Sequence, residues 1–409
     1  MKFQAPKGTH DVLPSEQPLW TLVTDTAEEV CALYGYRRIQ TPVIEDTELF
    51  LRTSGGGSDI ARREMYTFED RGGRSLTLRP EGTAANARAY LEHGLHTDPQ
   101  PVKTYMIDTM YRYDAPQKGR YREHTQWSVE AVGSPDPALD AEIVQLYVEF
   151  LRRLGITGWS IALNSIGDRN CRPAYLERLG GWLDANDAVL DADARQKRET
   201  SPLRIFDTKN PALAQALEGA PKIGESLCDE CRAHFDAVKA QLDAYGVAYE
   251  VEPTLVRGLD YYSRTTFEFT GDALGAQSSL VGGGRYDYLV EQIGGPPTPG
   301  IGFGAGIERL IISLEELGLQ LEQPALDIFF AFDGGERVAA LALMAELRRG
   351  GVPCETDYAG RSLKGQLTQA RRLGARTIVI ARAGHFDVQR RGEEDRQVQT
   401  LEELRETLA

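Results

Sequence analysis

A strand in which every second residue is glycine most constrains the fold of this chain. In the segment GIGFGAGIERL the strand leads directly into an apolar, helix-like run, and its glycines are Gly300, Gly302, Gly304 and Gly306. Alternate residues of a strand face the same side, so one row of side chains is absent. A flat ligand can then lie against the backbone. Taken alone, the motif is more typical of a tightly packed strand-to-helix turn.

A second feature is a basic segment, YRYDAPQKGRYREHTQWSVE, in a chain whose net charge is -15. Within eleven positions it contains four basic residues, Arg112, Lys118, Arg120 and Arg122. Glycine and proline interrupt the run, and tyrosine and tryptophan lie inside it, which is not typical of a solvated charged face. Arginines in similar surroundings occur far along the chain, at Arg257 and Arg309. Together these arginines predict a binding site for a phosphate-bearing anion.

Composition predicts an ordinary globular protein with two or three domains. The chain has 409 residues, of which 41% are hydrophobic and 26% are charged. No apolar run approaches the roughly 20 residues that a membrane-spanning helix needs, and the start lacks a signal-peptide pattern. We therefore expect a cytoplasmic protein without membrane contact. No Walker A motif or dinucleotide-binding glycine motif occurs, so those phosphate-binding folds are excluded.

The five cysteines are too few and too scattered to form a disulfide framework. Cys228 and Cys231 form one C-x-x-C motif, but no second pair follows at the spacing of a zinc site. A structural role for the two thiols is therefore favoured over metal binding. We expect no tightly bound metal.

The pattern along the chain predicts two domains and one insertion. Residues 168–249 are rich in alanine and charged residues with helical spacing, and they separate the strand-like segments WSIALNSIG and TLVRGLDYYSRTTFEFT. We predict a helical insertion there, within a domain that spans residues 1–325. After Pro324, strand-like and helix-like segments alternate, which predicts a separate α/β domain over residues 326–409.

One predicted helix of the C-terminal domain, residues 361–373, has a basic face. Its apolar residues Leu363, Leu367 and Ala370 share the opposite face. Residues 361–391 contain eight basic residues and one acidic residue. This excess indicates either a second surface that binds a polyanion or a solvated helix face, and charge alone does not separate the two. The basic residues on this helix are Arg361, Lys364, Arg371 and Arg372.

Together these motifs resemble the signature motifs of class II aminoacyl-tRNA synthetases, and specifically those of the histidyl-tRNA synthetase family. YGYRRIQTPVIEDTELFLRTSG resembles motif 1, the basic segment resembles motif 2, and GIGFGAGIERLI resembles motif 3. LVRGLDYYSRTTFEF resembles the histidine-specific signature, and KGTHDVLP and GGGRYDYL match further family blocks. The resemblance implies an α+β catalytic core on a mainly antiparallel sheet, a helical insertion and a C-terminal α/β anticodon-binding domain.

The resemblance also implies a reaction. A histidine-tRNA ligase uses ATP, with Mg²⁺ on its phosphates, to form histidyl-adenylate and pyrophosphate, and then transfers L-histidine to tRNA(His). The first step is an in-line attack on the α-phosphorus, so the protein mainly has to align two anions and stabilise their charge. Motif 1 forms the dimer interface in this class, which implies a homodimer.

The resemblance assigns the arginines to ATP. Arg112 and Arg257 are implied to be catalytic and to approach the α-phosphate from opposite sides. Arg309 would hold the γ-phosphate, and Arg120 would contact the departing pyrophosphate. The remaining implied ATP contacts are Asp114, Gly304 and Gly306, and the implied contacts with the tRNA acceptor end are Gln117 and Lys118. Asp114 and Ala115 depart from the family pattern, which usually has a longer acid and a basic residue there.

A second implied set binds histidine, and its members are Glu81, Thr83, Gln126, Glu130, Arg257, Tyr261 and Tyr262. In the family, the residues at Glu81, Thr83 and Gln126 bind the α-amino group, and those at Glu130 and Tyr262 bind the imidazole. An imidazole has a donor and an acceptor, so a carboxylate and a phenol can bind its two ends. Gln126, Ser128 and Glu130 follow one another at intervals of two residues, which places all three on one face of a strand.

A non-catalytic paralogue is the alternative. The regulatory subunit of ATP phosphoribosyltransferase has the same core but senses histidine instead of activating it. That paralogue lacks the C-terminal domain and often loses the arginines of motif 2 and of the histidine signature. This chain retains both the C-terminal domain and these arginines, so we favour the ligase.

Overall fold

The computed structural model describes residues 3–55, 58–208, 210–271, 279–321, 325–335 and 337–408. The chain forms two compact units, Met1–Gln320 and Leu321–Ala409. Pro324, after which the sequence predicts a separate domain, lies outside the described residues. Across the ranges that are described, no helix is both long enough and apolar enough to cross a membrane.

The first unit contains two sheets and the helices that cover them. Its strands are β1 (Arg37–Arg38), β2 (Ile44–Asp46), β3 (Tyr66–Glu69), β4 (Ser75–Leu78), β5 (Val102–Tyr111), β6 (Glu123–Val132), β7 (Trp159–Ser165), β8 (Glu250–Val251), β9 (Ser263–Gly271), β10 (Ser279–Arg285) and β11 (Gly300–Gly306). Its α-helices are α1 (Gln17–Leu33), α2 (Thr47–Ser54), α3 (Thr83–Glu92), α4 (Pro137–Leu154), α5 (Arg172–Ala185), α6 (Ala192–Thr200), α7 (Pro211–Leu217), α8 (Asp229–Ala244), α9 (Leu289–Gln292) and α10 (Ile307–Glu316).

The large sheet has the strand order β1-β5-β6-β11-β10-β9-β7-β8. Its two outer pairs, β1 with β5 and β7 with β8, are parallel, and the pairs between them are antiparallel. The predicted mainly antiparallel core is therefore confirmed. The smaller sheet, in the order β2-β4-β3, is antiparallel.

Helix α4 covers the middle of the large sheet. The side chain of Asp136 accepts a hydrogen bond from the Ala138 amide, Pro137 occupies the first turn, and Gly155 ends the helix with φ 70°. The aromatic residues Tyr147 and Phe150 of α4 pack against strand residues such as Trp127, and the rings of Trp127 and Phe150 are 4.6 Å apart. The start and end of α4 thus follow from its sequence, and its position follows from apolar burial.

A buried charged network joins α4 to other parts of the core. Asp140 and Arg285 are fully buried, and Arg285 Nε lies 3.1 Å from both carboxylate oxygens of Asp140. His234 Nε2, on α8, lies 2.9 Å from Asp140 Oδ2. Because an unpaired buried charge is costly, these contacts fix α4, β10 and α8 relative to one another.

The region predicted as an insertion, residues 168–249, contains α5 to α8 and several 3₁₀ turns. Tyr175, Leu179 and Leu183 of α5 belong to the same apolar cluster as Tyr261 and Tyr262 of the histidine-signature segment. Helix α8 instead packs its buried face into the core beneath the large sheet. Both ends of this region are therefore anchored in the first unit.

The second unit is a five-stranded sheet with helices on both faces. Its elements are β12 (Ile328–Asp333), α11 (Arg337–Arg349), β13 (Cys354–Thr356), α12 (Leu363–Arg372), β14 (Thr377–Arg382), β15 (His385–Arg390), β16 (Arg396–Val398) and α13 (Leu401–Leu408). The order is β13-β12-β14-β15-β16, and β12 pairs in parallel with β13 and β14. The sequence predicts the α/β part, but the structure departs from simple alternation after β14, where a turn at Gly384 (φ 86°) starts an antiparallel extension.

Helix α12 has the two faces that the sequence predicts. Ala370 is buried and Leu363 and Leu367 pack against β12 and β14, whereas Arg371 and Arg372 are exposed. Helices α11 and α13 pack on the other side of the sheet, in a separate apolar cluster.

Candidate active site

One pocket of the first unit brings together most of the predicted site residues. It lies over the large sheet, and residues from seven separate chain segments line it. The predicted residues among them are Glu81, Thr83, Arg112, Asp114, Arg120, Gln126, Arg257, Tyr261, Tyr262, Gly304, Gly306 and Arg309. Glu130, Gln117 and Lys118 are not part of its lining.

The glycines of β10 and β11 make room for side chains of neighbouring segments. On β11, Gly302 pairs with Glu130 and Gly306 with Gln126. A Cβ atom on Gly302 would overlap the Glu130 carboxylate, and one on Gly304 would lie 2.7 Å from Gln126 Nε2. As the sequence predicts, one row of side chains is missing from β11. Polar side chains of the site occupy part of the space that this leaves.

Strand β10 extends the same arrangement. Gly282 pairs with Gly304 across the two strands, and a Cβ atom on Gly282 would overlap the guanidinium of Arg257. A Cβ atom on Gly284 would lie 2.9 Å from Cδ1 of Tyr262. The positions of Arg257 and Tyr262 therefore depend on β10 having no side chains there.

Two arginines are oriented by backbone carbonyl groups. Arg112 Nε donates to the carbonyl of Pro80 at 2.7 Å. Arg309 donates to the carbonyls of Gly119 and Ser279 at 2.8 and 2.6 Å. Burial, followed by the charges of Arg112 and Arg120, lowers the pKa of Arg309. The guanidinium groups of Arg112, Arg120 and Arg309 all line this end of the pocket, so it favours an anionic ligand.

The other two arginines contact acidic residues. Arg120 pairs with Asp114, and Arg257 pairs with Glu268. Asp114 also accepts a hydrogen bond from the Ala115 amide at 2.7 Å, so its short carboxylate is engaged within its own loop. The buried Nε of Arg257 has no hydrogen-bond acceptor in the described part of the chain. A buried donor without an acceptor is uncommon in folded proteins.

The sequence analysis missed two titratable residues at the arginine end. His124 lines the pocket, and burial together with Arg112 and Arg309 lowers its pKa to about 3, so its imidazole is neutral at physiological pH. Burial raises the pKa of Glu308 to about 7, and its carboxylate accepts a hydrogen bond from the Thr125 amide at 2.6 Å. The spacing of two between His124 and Gln126 was a usable signal for the histidine.

The acidic end of the pocket is formed at the start of α3. The carboxylate of Glu81 accepts hydrogen bonds from the amides of Thr83 and Ala84, at 2.6 and 2.9 Å. Burial raises the pKa of Glu81, and the two amides oppose this shift. Glu81 is thus held by the helix start at a fixed position in the pocket wall. The phenol rings of Tyr261 and Tyr262, 4.6 Å apart, lie on the same pocket.

Glu130 lies directly behind this end and is fully buried. Its two carboxylate oxygens accept hydrogen bonds from Thr83 Oγ1 at 2.7 Å and from Tyr286 Oη at 2.5 Å. Burial raises the pKa of Glu130 to about 8. Tyr286 belongs to the segment GGGRYDYL, but its contact with Glu130 was not predicted. Direct contact between Glu130 and histidine stays a prediction.

The proposed tRNA contacts, Gln117 and Lys118, lie in the turn between β5 and β6. Gln117 and Arg120 exchange backbone hydrogen bonds across this turn, in which Gly119 has φ 73°. Lys118 is exposed and pairs with Glu316 of α10 at 2.6 Å. The turn therefore lies outside the pocket but joins directly to Arg120 within it.

Comparison with known proteins agrees with this arrangement. The family model described as "Histidyl-tRNA synthetase" matches residues 8–310 of the chain. The chain belongs to the histidyl-tRNA synthetase family. A histidine-tRNA ligase of Anaeromyxobacter sp. (strain K) is 50% identical over 381 residues, which are 93% of this chain and 92% of the relative. A histidine-tRNA ligase of Dehalococcoides mccartyi is 47% identical over 380 residues, with 92% and 91% covered.

Solved structures of the histidyl-tRNA synthetase family have the same fold. The crystal structure of apo S. aureus histidyl-tRNA synthetase matches with a TM-score of 0.83 and 35% identity, and covers 99% of both chains. A Bacillus halodurans structure titled as an ATP phosphoribosyltransferase regulatory subunit/histidyl-tRNA synthetase matches with a TM-score of 0.67 at 24% identity. The latter similarity concerns the fold alone.

The raised pKa of Glu130 predicts a pH-dependent stability. A buried carboxyl group whose folded pKa exceeds its unfolded pKa binds an extra proton in the folded state, so its contribution is complete below about pH 4.5 and is lost toward about pH 8. Glu130→Gln has no such proton. Between about pH 6 and about pH 9, the Tm of the parent should therefore fall relative to that of Glu130→Gln.

The control for this experiment is Glu69→Gln, which changes an exposed glutamate on β3. Its Tm should follow that of the parent at every pH. Parallel curves for the parent and Glu130→Gln would contradict the assignment of a raised pKa to Glu130.

Proposed function

We propose that this chain is a histidine-tRNA ligase that forms histidyl-adenylate and pyrophosphate from L-histidine and ATP and then transfers histidine to tRNA(His). The observation that carries the proposal is the pairing of two different ends in one pocket. One end contains Arg112, Arg120 and Arg309 and suits a polyphosphate, and the other contains Glu81 and the tyrosine pair and suits an amino acid. ATP enters as its Mg²⁺ complex, so Mg²⁺ is part of the substrate.

The arginines supply the charge stabilisation that adenylate formation needs. We assign Arg112 and Arg257 to the α-phosphate, since both lie in the pocket and Arg257 has a buried donor directed toward no described acceptor. Arg309 and Arg120 are assigned to the outer phosphates. Charge on the phosphorane oxygens increases in the transition state, so fixed guanidinium groups stabilise it more than the ground state. Neutral His124 adds no competing charge.

The acidic end accounts for amino-acid selection. The Glu81 carboxylate, with Thr83 and Gln126 nearby in the pocket, suits the α-ammonium group. Tyr262 and Glu130 suit the two nitrogens of the imidazole, and Thr83 connects Glu130 to the pocket. A site built to pair both nitrogens disfavours apolar side chains of similar size, because its buried polar groups would lose their partners.

The second unit and the motif 1 region supply the proposed macromolecular contacts. Lys364, Arg371 and Arg372 are exposed on α12, and we assign this face to the anticodon arm of tRNA(His). Arg361 is also exposed and pairs with Asp357. We propose a homodimer through the motif 1 region, where Val43, Ile44 and Leu51 are each 39% to 45% exposed. A ligase of this kind acts where tRNA is used, so we propose a cytoplasmic location.

The alternative, a histidine-sensing paralogue, is less consistent with the chain. A sensor needs the histidine end of the pocket but does not need the arginine end or a C-terminal nucleic-acid surface. This chain has Arg112, Arg257 and Arg309 in the pocket and a second compact unit at residues 321–409. These features favour catalysis.

Histidine-dependent ATP-pyrophosphate exchange tests the proposal. The purified protein should exchange labelled pyrophosphate into ATP when L-histidine is present, and exchange should stay at background with L-phenylalanine or L-glutamine. It should also charge tRNA(His) with histidine. Saturable histidine binding without exchange would instead identify the protein as a sensor.

The exposed face of α12 predicts a separable defect in tRNA binding. Arg371→Gln/Arg372→Gln should leave ATP-pyrophosphate exchange unchanged, because neither residue belongs to the pocket. The variant should bind tRNA(His) more weakly and with a shallower salt dependence, by about 0.7 to 0.9 in the log-log slope for each lost phosphate contact.

The matched control is Arg349→Gln/Arg405→Gln, which removes the same charge from α11 and α13 on the opposite face of the sheet. This control should bind tRNA(His) like the parent. Equal weakening in both double variants would show that overall charge, not the face of α12, determines tRNA binding.

A further inference from the structure

Four potential metal ligands converge outside the active-site pocket, at the two ends of the helical region. They are Asp168, Cys171, Cys228 and Cys231, and their ligand atoms all lie within 4.8 Å of one another. Asp168, Cys171 and Cys231 are buried, and Cys228 is partly exposed. The C-x-x-C motif, which lacks a second pair of ligands in the sequence, therefore has two further ligands in the fold. We propose that these four residues form a tetrahedral Zn²⁺ site.

Two distances within the cluster are close to those of tetrahedral zinc geometry, and all the others are at most 4.8 Å. With Zn–S bonds of about 2.3 Å and Zn–O bonds of about 2.1 Å, tetrahedral ligands are separated by about 3.8 Å for two sulfurs and about 3.6 Å for sulfur and oxygen. The Sγ atoms of Cys171 and Cys231 are 3.9 Å apart, and Asp168 Oδ1 is 3.5 Å from Cys171 Sγ. A zinc ion can therefore be accommodated without large movement of these ligands.

The two halves of the site have the same ligand spacing, and each includes the residue before a helix. Asp168 and Cys171 are three residues apart, and Cys171 is the residue before α5, so Asp168 lies in the preceding loop. Cys228 and Cys231 are also three residues apart, but here Cys228 is the residue before α8 and Cys231 lies in its first turn. Cys171, Cys228 and Cys231 thus lie at helix starts, where the backbone amides and helix dipole favour anionic groups such as thiolates. A pair of ligands three residues apart is the usual unit of structural zinc sites.

The surroundings compensate the negative charge of such a site. Arg264 Nη2 lies 3.3 Å from Asp168 Oδ2. Arg264 has φ 49°, which is unfavourable for a residue other than glycine, and two backbone hydrogen bonds with Gly167 and Ile166 hold it there. A hydrogen-bonded partner on a ligating carboxylate is a common feature of metal sites, because it fixes the ligand's orientation.

The location suggests what the metal does. Asp168 and Cys171 lie where the chain leaves β7 for the helical region, and Cys228 and Cys231 lie where it returns through α8. The adjacent Arg172 donates a hydrogen bond to the carbonyl of Tyr262 at 2.8 Å. A zinc ion would therefore fasten both ends of the helical region next to the segment that carries the active-site tyrosines. We infer a structural role, because four protein ligands leave no open position for substrate.

Metal analysis of the untagged, reduced protein tests this inference. The parent should contain about one zinc per chain, and Cys228→Ser/Cys231→Ser and Cys171→Ser should each retain less than about a tenth of that amount. Glu230→Gln changes the exposed residue between the two cysteines, and Cys354→Ser changes a buried thiol of the second unit. Both controls should keep the zinc of the parent.

Cobalt substitution uses the parent protein, so its result does not depend on whether the cysteine variants fold. After zinc is removed, added Co²⁺ should give intense visible bands of tetrahedral geometry and a thiolate-to-cobalt charge-transfer band, and Zn²⁺ should abolish both. Tm should fall on zinc removal and recover with Zn²⁺. A parent without zinc that gives no cobalt bands would overturn the inference, as would a disulfide between Cys171 and Cys231 in the protein isolated without reductant.

Discussion

The absence of side chains on one face of β10 and β11 is the constraint on which the site depends. Arg257 occupies the space over Gly282, and Glu130 occupies the space over Gly302. Because these polar groups fit only against bare backbone, the glycines determine where substrate-facing charge can lie. The same strands lie at the centre of an antiparallel sheet whose other face packs on α4. Binding and stability therefore use opposite faces of one sheet.

The two ends of the pocket differ in the groups that contact their buried ionisable side chains. At the arginine end, backbone carbonyls orient Arg112 and Arg309, and burial keeps His124 neutral. At the acidic end, amides and hydroxyl groups surround Glu81 and Glu130, and burial raises the pKa of both carboxyl groups. A phosphate compensates the positive charge of the arginine end, and the ammonium group of an amino acid suits the Glu81 carboxyl group at the other end. Such a separation suits a reaction that joins a carboxylate to a phosphate while holding an ammonium group.

Motifs with local meaning could be predicted from the sequence, whereas contacts between distant segments could not. Alternating glycines, period-two polar residues on β6 and the apolar spacing of α12 each predicted a face that the structure contains. The burial of Glu130 behind Thr83 and Tyr286 was not predictable, because three separate segments create it. The same limit applied to Cys228 and Cys231, since their neighbours Asp168 and Cys171 lie about 60 residues earlier in the chain.

The most direct test of the glycine constraint compares Gly282 with a glycine outside the pocket. In Gly282→Ala the three atoms nearest to the new methyl group all belong to the guanidinium of Arg257, so the fold should persist while the guanidinium is displaced. Gly224→Ala is the control, because Gly224 is exposed outside the pocket and a Cβ atom there would have no neighbouring atom within 4 Å. We predict that kcat for histidine-dependent ATP-pyrophosphate exchange falls about 10²-fold in Gly282→Ala and little in Gly224→Ala, at unchanged Tm. Equal rates in both variants would contradict the account.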